Sequence, residues 1–160
     1  MSLDILPAFP APASVKVRPH QRTKSTQAMS GRILTNAYGG QFFEMTLVYH
    51  PMHRKDAGAL IAFLQYQRGR SGTFRVPLDQ LTGQAGLKVG NFAMFDNDSK
   101  VHIITQTLPS VQVIPAARQS GGTLLTSGVE MRCSLTRDVQ EITLGTDGLI
   151  RLELDLIERV

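Results

Sequence analysis

Apolar and polar residues alternate most clearly at the end of the chain. Val129, Met131, Cys133 and Leu135 interleave with Glu130, Arg132, Ser134 and Thr136. Ile142 and Leu144 lead into Gly145-Thr146-Asp147-Gly148, a turn sequence. Ile150, Leu152, Leu154 and Leu156 then interleave with Arg151, Glu153, Asp155 and Ile157. A period of two places each set on one face of a strand, so this stretch predicts an antiparallel hairpin. A leucine ladder of this kind belongs in the middle of a sheet. The same period appears at residues 41–49, where Phe43, Met45, Leu47 and Tyr49 form the predicted core face. Phe42 and Val48 leave the opposite face partly apolar.

Only one stretch carries a strong helical period. Over residues 55–68, Ala57, Leu60, Ile61 and Leu64 fall at i, i+3, i+4 and i+7, with Phe63 widening the stripe. Asp56 and Arg68 complement the helix dipole at the two ends. Gly69 suits the position just past the helix. Gly58 costs stability in a helix interior, which predicts a close approach there. A helix this short needs a sheet beneath it.

Elsewhere the pattern is weaker. Residues 25–34 read as a strand, with Asn36–Gly40 (NAYGG) as the turn into residues 41–49. Thr73–Val76 is a short strand ended by Pro77. Residues 79–90 are Gly-rich and read as loop. Asn91–Phe95 and Val101–Thr107 predict a hairpin about Asp96-Asn97-Asp98-Ser99, and residues 111–114 a further strand. The expected fold class is mainly β (α+β): an antiparallel β-sandwich or split barrel flanked by one helix, in a single domain spanning 1–160.

The first 24 residues form an extended arm. Pro7, Pro10 and Pro12 keep it out of a central strand, so it packs on this chain or on a neighbour. Next, Lys16, Arg18, His20, Arg22 and Lys24 recur with period two, which puts them on one side of an extended chain. Three readings stay open for this stripe. It could contact phosphates, form a solvated edge strand protected by lysine and proline, or meet an acidic patch on another subunit.

Charge sharpens this picture. The net charge is +4. Residues 1–40 hold all of it, with Lys16, Arg18, Arg22, Lys24 and Arg32 against Asp4, while residues 41–160 balance. The basicity belongs to the leading segment and not to a globally basic surface. The apolar fraction, 42%, suits a real core. No apolar run approaches the ~18 residues of a membrane span, and the first residues lack the features of a secretory signal. The one cysteine, Cys133, excludes an internal disulfide framework and fits a reducing cytoplasm.

Candidate chemistry is sparse. The sequence has no G-x-S-x-G elbow, H-E-x-x-H, C-x-x-C or phosphate-binding loop, so neither an enzyme nor a cofactor is expected. His50 and His53 flank Pro51, but two histidines do not make a metal site. The DNDS tip lacks the glycine and distal glutamate of a calcium loop. Cys133 sits on an apolar face, where a thiol acts as a small hydrophobe. A small enzyme built on His50, His53 or Cys133 is the least favoured reading.

Three central phrases carry a resemblance: the strand FFEMTLVYHP, the helix core ALIAFLQYQRG and the strand SGTFRVPL. Together they resemble tail proteins of long-tailed bacteriophages, above all the N-terminal domain of distal tail proteins and the related tail-tube fold. KVGNFAMFDN, KVHIITQ and the closing LELDLIERV are similar to phrases of the same proteins. The chain departs from them in lacking a tryptophan in the first strand.

The resemblance implies a structural virion protein made in the host bacterial cytoplasm. Its subunits would assemble as a ring, a hexamer in such proteins, between the tail tube and the distal hub or fibres. DNA would pass through the ring without specific binding, and the chain would insert into no membrane. A channel that must not grip DNA suits a neutral or acidic lining. The subunit contacts would therefore fall to Lys16, Arg18, His20, Arg22, Lys24 and Arg70. The alternative is a nucleic-acid-binding β module that uses the basic stripe.

Overall fold

The computed structural model describes residues 4–160. Its principal layer is an antiparallel sheet. The strands follow chain order as β1 (Pro12–His20), β4 (Phe42–Tyr49), β5 (Phe74–Pro77), β10 (Glu130–Leu135), β11 (Ile142–Leu144) and β12 (Ile150–Glu158). In space they run β1-β4-β12-β10-β5, with β11 on the early half of β12. The leucine ladder of β12 is central, as its pattern predicts. It pairs with β4 on one side and with β10 and β11 on the other.

A second layer contains β6 (Phe92–Phe95), β7 (Val101–Gln106), β8 (Gln112–Ile114) and β9 (Leu124–Leu125), in the order β8-β7-β6-β9. β2 (Thr23–Gln27) and β3 (Ile33–Ala37) form a separate two-stranded ribbon. Helix α1 spans Arg54–Gln67, and a short helix α2 spans Leu78–Thr82. The protein is thus mainly β, a layered antiparallel fold with one principal helix and no closed barrel.

The core follows from the alternation. Phe43, Met45, Leu47 and Tyr49 of β4 are buried, as are Leu152, Leu154 and Leu156 of β12 and Met131, Cys133 and Leu135 of β10. Helix α1 adds Leu60, Phe63 and Leu64 to this cluster, and the second sheet adds Phe92 and Val101. Edge-to-face ring pairs tie the layers, Phe63 with Phe74 at 5.0 Å and Phe43 with Phe92 at 6.1 Å.

Within α1 the fully buried stripe is Ala57, Leu60, Phe63, Leu64 and Gln67, with Ile61 only partly covered. Arg68 ends the helix in the left-handed conformation (φ 52°), and Gly69 repeats it (φ 67°). A Cβ on Gly69 would sit 2.9 Å from Asp138 Oδ1, so glycine is needed there on two counts. Gly58 corrects the expectation of close packing. It is exposed, and nothing lies within 4 Å of where a Cβ would be.

Three other expectations change. Residues 25–34 are not one strand beside β4. The chain reverses at Ala28–Arg32, where Gly31 takes a φ of 80° and Ala28 N–H donates to Arg32 O at 2.9 Å. The Ser30-Gly31 dipeptide is the turn signal that splits the stretch. The partner of β4 on that side is instead β1, in register from Ser14↔Val48 to His20↔Phe42. Residues 79–90 are also not wholly loop. Leu78 is buried, and Asp79 accepts backbone N–H groups of Gly128 and Val129 (the latter at 3.2 Å), which seats α2.

The proline-rich arm packs on its own chain. Residues 1–3, its first part, lie outside the described residues. Leu6 N–H donates to Arg75 O at 2.9 Å, and Arg75 N–H to Asp4 O at 2.7 Å, so residues 4–6 cover the free edge of β5. Residues 12–20 pair with β4 at the opposite edge of the sheet. One extended segment therefore touches both edges.

A buried ion pair joins the two layers. Glu158 follows Leu156 in the inward phase of β12, where the pattern asks for an apolar side chain. Its carboxylate accepts Lys100 Nζ and Phe43 N–H (3.0 Å) at Oε2, and Val101 N–H (2.9 Å) at Oε1. Lys100 is 1% exposed and lies 5.4 Å from the centre of the Phe43 ring.

Two predictions follow from this packing. Replacing Lys100 by Met strands a buried carboxylate and lowers stability by about 3–5 kcal/mol in urea unfolding. The double variant Lys100→Met/Glu158→Leu does not recover. It orphans the N–H groups of Phe43 and Val101, at about 1–3 kcal/mol each, and recovery to wild-type stability would refute the assignment. Gly58→Ala raises stability by about 1 kcal/mol in the same measurement, since it meets no neighbour.

Candidate functional site

The basic stripe begins on the outer face of the main sheet. The register places Lys16 opposite Thr46, Arg18 opposite Glu44 and His20 opposite Phe42. Their neighbours include acids. His20 Nε2 lies 2.9 Å from Glu44 Oε2, and the His20 ring stacks on Phe42 with centroids 4.7 Å apart. Arg18 Nη2 donates to Thr46 Oγ1 at 2.8 Å, and Thr46 Oγ1 donates to Asp155 Oδ1 at 2.8 Å. The acidic partner of His20 therefore comes from the same chain, and Arg18 reaches Asp155 only through the Thr46 hydroxyl. As an edge strand with Pro19 and exposed cations, β1 also has the makeup that discourages edge pairing.

The other cations behave differently. Arg22 lies 5.7 Å from the centre of the Phe42 ring, at the root of the β2–β3 ribbon. Lys24 is on the ribbon itself, opposite Asn36. Arg32 is in the turn between the two strands. None of the three forms an ion pair with a described residue, and no acidic residue occurs from Ile5 to Phe43. Arg70 shares nothing with the stripe. It lies in the short 3-10 turn Gly69–Ser71, where its backbone N–H donates to Asp138 Oδ1 at 3.1 Å.

The ribbon is the most unusual feature of the surface. All residues of β2 and β3 are exposed. Pairing from Thr23↔Ala37 to Gln27↔Ile33, with a hydroxyl contact between Ser25 and Thr35 (3.0 Å), holds the two strands together. The ribbon pairs with no other strand among the described residues. Ile33 and Leu34 are 67% and 50% exposed and, as adjacent residues, point to opposite faces. Met29 at the tip and Tyr38 at the base are also exposed. A lone two-stranded hairpin is at best marginally stable in water. This one offers apolar groups on both faces and carries only positive charge.

At the far end of β4, the outer face holds a cleft of about 580 Å³. Val48, Pro51 and Leu152 contribute apolar wall, with residues 136–143 along the other side. Glu141 and Glu153 line it and form no ion pair with a described residue. Arg151, also in the wall, is held by Asp147 at 2.8 Å. Two N–H groups meet on Asp147, the Leu149 backbone and the Arg151 side chain, and hold its carboxyl below the usual range.

The candidate catalytic residues are not brought together. His50 and His53 are exposed on the connection into α1. Cys133 is 0% exposed, and burial, aided by the charge of Glu158, pushes its thiol well above the ordinary value. Burial does the same to the Tyr49 phenol. Among the described residues, no three His, Cys, Asp or Glu side chains gather as for a metal ion, and no helix is long and apolar enough to cross a membrane. The sequence reading missed the ribbon because β2 and β3 lack alternation, although Ser30-Gly31 marks the turn. It missed the cleft because Glu141 and Glu153 meet only through the sheet.

Comparison with protein families finds no matching family model, and comparison with curated proteins finds no relative.

The thiol gives a direct check. Native protein should leave Cys133 unmodified by a thiol reagent at pH 8, with full reaction in denaturant. The folded-state pKa lies above the unfolded one, so the folded chain keeps a proton that the unfolded chain loses. Stability therefore falls as pH rises through the ordinary thiol value of 9.0. A Cys133→Ala variant should show a smaller loss between pH 8 and 10, read as the urea midpoint.

Proposed function

We propose that this protein is a structural component of a bacteriophage tail that assembles into a ring, linking the tail tube to the distal hub or fibres around the DNA channel. The resemblance of the strand–helix–strand at Phe42–Arg75 to distal tail proteins suggests the setting. The exposed β2–β3 ribbon carries the argument for assembly. Its apolar side chains find no cover within the subunit, and burial against another subunit would remove them from water at roughly 25 cal/mol per Å². Acids beside β1, Glu44 and Asp155, offset part of its charge, which also fits a body that does not grip DNA strongly. The six residues first assigned to subunit contact then divide. Lys24 with Arg22 belongs to the ribbon, Lys16 on β1 forms no ion pair with a described residue, Arg18 and His20 are engaged within the subunit, and the backbone of Arg70 is held by Asp138.

One observation favours a second reading. Arg22, Lys24 and Arg32 make the ribbon purely basic, and a two-stranded ribbon fits a DNA major groove. Such binding would weaken steeply with salt, because each neutralised phosphate releases a counterion.

Electron microscopy and light scattering of the purified protein separate the two. The ring reading expects closed particles with a central hole. It further expects that replacing residues 23–37 with a short Gly-containing linker yields a folded monomer. A wild-type protein that stays monomeric up to high concentration would sink it. Salt-sensitive DNA binding by that monomer, lost with the ribbon, would support the alternative.

A further inference from the structure

We infer that the outer-face cleft between β4, β12 and residues 136–143 is the seat for the β2–β3 ribbon of a second copy of this chain. The inference rests on the assembly reading above and adds to it the contact surface and its direction.

Three observations point to this occupant. The first is charge. The ribbon brings Arg22, Lys24 and Arg32 with no acid, while the cleft presents Glu141 and Glu153 without ionic partners. Its arginines are already engaged, Arg151 with Asp147 at 2.8 Å and Arg137 with Asp155 at 4.0 Å. The second is apolar matching. Ile33 and Leu34 have no cover on the ribbon, and Val139, 79% exposed, has none on the cleft rim, beside the walls made by Val48, Pro51 and Leu152.

The third is position. The ribbon leaves the body beside Phe42, at one end of β4, and the cleft adjoins Val48 and Tyr49 at the other. The two lie roughly 20 Å apart along the strand. A projection at one end and its receptor at the other suit either a reciprocal antiparallel pair or a head-to-tail series, and the ring reading takes the series. Each copy gives to one neighbour and receives from another. Such a heterologous contact closes into a ring or runs on as a filament. The cleft thus gains an occupant, and the ribbon a cover, through a single interface.

Thiol cross-linking tests this directly. Ile33 and Val139 are exposed, so cysteine at either place should leave the fold intact, and the native Cys133 is buried. The variant Ile33→Cys/Val139→Cys, treated with a short bifunctional thiol reagent, should give a ladder of covalent multimers on a denaturing gel. Ile33→Cys alone and Val139→Cys alone should give none. A second variant, Glu141→Lys/Glu153→Lys, should raise the concentration needed for assembly at least about tenfold by placing like charges against the ribbon.

Rings that form without a 33–139 cross-link would overturn this seat and leave the assembly reading standing. Cross-linking of Ile33→Cys to itself would overturn it in favour of a two-fold contact of ribbon with ribbon, and double-variant cross-linking that stops at the covalent dimer would overturn the head-to-tail direction in favour of a reciprocal exchange of ribbons. A protein that is monomeric throughout would overturn both readings.

Discussion

The carboxylate of Glu158 is the point on which the two layers of this fold depend. It gathers a backbone N–H from β4, a backbone N–H from β7 and the ammonium of Lys100. Without it, backbone N–H groups near the starts of two strands from different sheets would be buried with unmet donors. Apolar contacts such as Phe43 against Phe92 hold the layers together but tolerate sliding, because dispersion has little directional preference. Three donors converging on one carboxylate do not tolerate it. The ion pair therefore fixes how the second sheet sits on the first, at the cost of desolvating two charges.

This constraint also explains how the end of the chain is used. β12 pairs with β4 along one side and with β10 and β11 along the other, and its last strand residue is Glu158. The strand that centres the main sheet therefore ends by fastening the second. The opposite edges of that sheet are handled by residues 4–20. They cover β5 with residues 4–6 and β4 with β1. The β5 edge is thus covered and the β1 edge carries cations and Pro19, so the uncovered ribbon stands out from the main sheet.

What the sequence made legible follows the strength of the apolar pattern. The β10–β12 hairpin, the inward face of β4 and the buried stripe of α1 all rest on alternation or on helical spacing set by burial. Where burial does not set the pattern, the reading failed. β2 and β3 are exposed throughout, so their residues answer to no core and show no period. The cost of glycine in a helix predicts a contact at Gly58, yet it faces open solvent. Glu158 was legible in phase but not in kind. It continues the inward series of Leu152, Leu154 and Leu156, and a carboxylate in that phase signals a buried partner. That Lys100 is the partner depends on a fold that brings positions 58 residues apart into contact.

The basic stripe shows how one periodic pattern can serve two purposes. Read as a sequence, Lys16 through Lys24 is one uniform row. In the fold the row crosses the boundary between body and ribbon. The part on β1 lies beside Glu44 and Asp155, which answer its charge in part. The part beyond His20 leaves the sheet and meets no acid. Desolvating an unpaired cation is unfavourable, so these charges favour a partner that supplies carboxylates or phosphates over a plain apolar one. Net charge alone could not make this distinction, because +4 is the sum of both parts. The division between the answered and the unanswered charges directs attention away from β1 and toward the ribbon, where a recognition surface has both exposed apolar groups and charge left to offer.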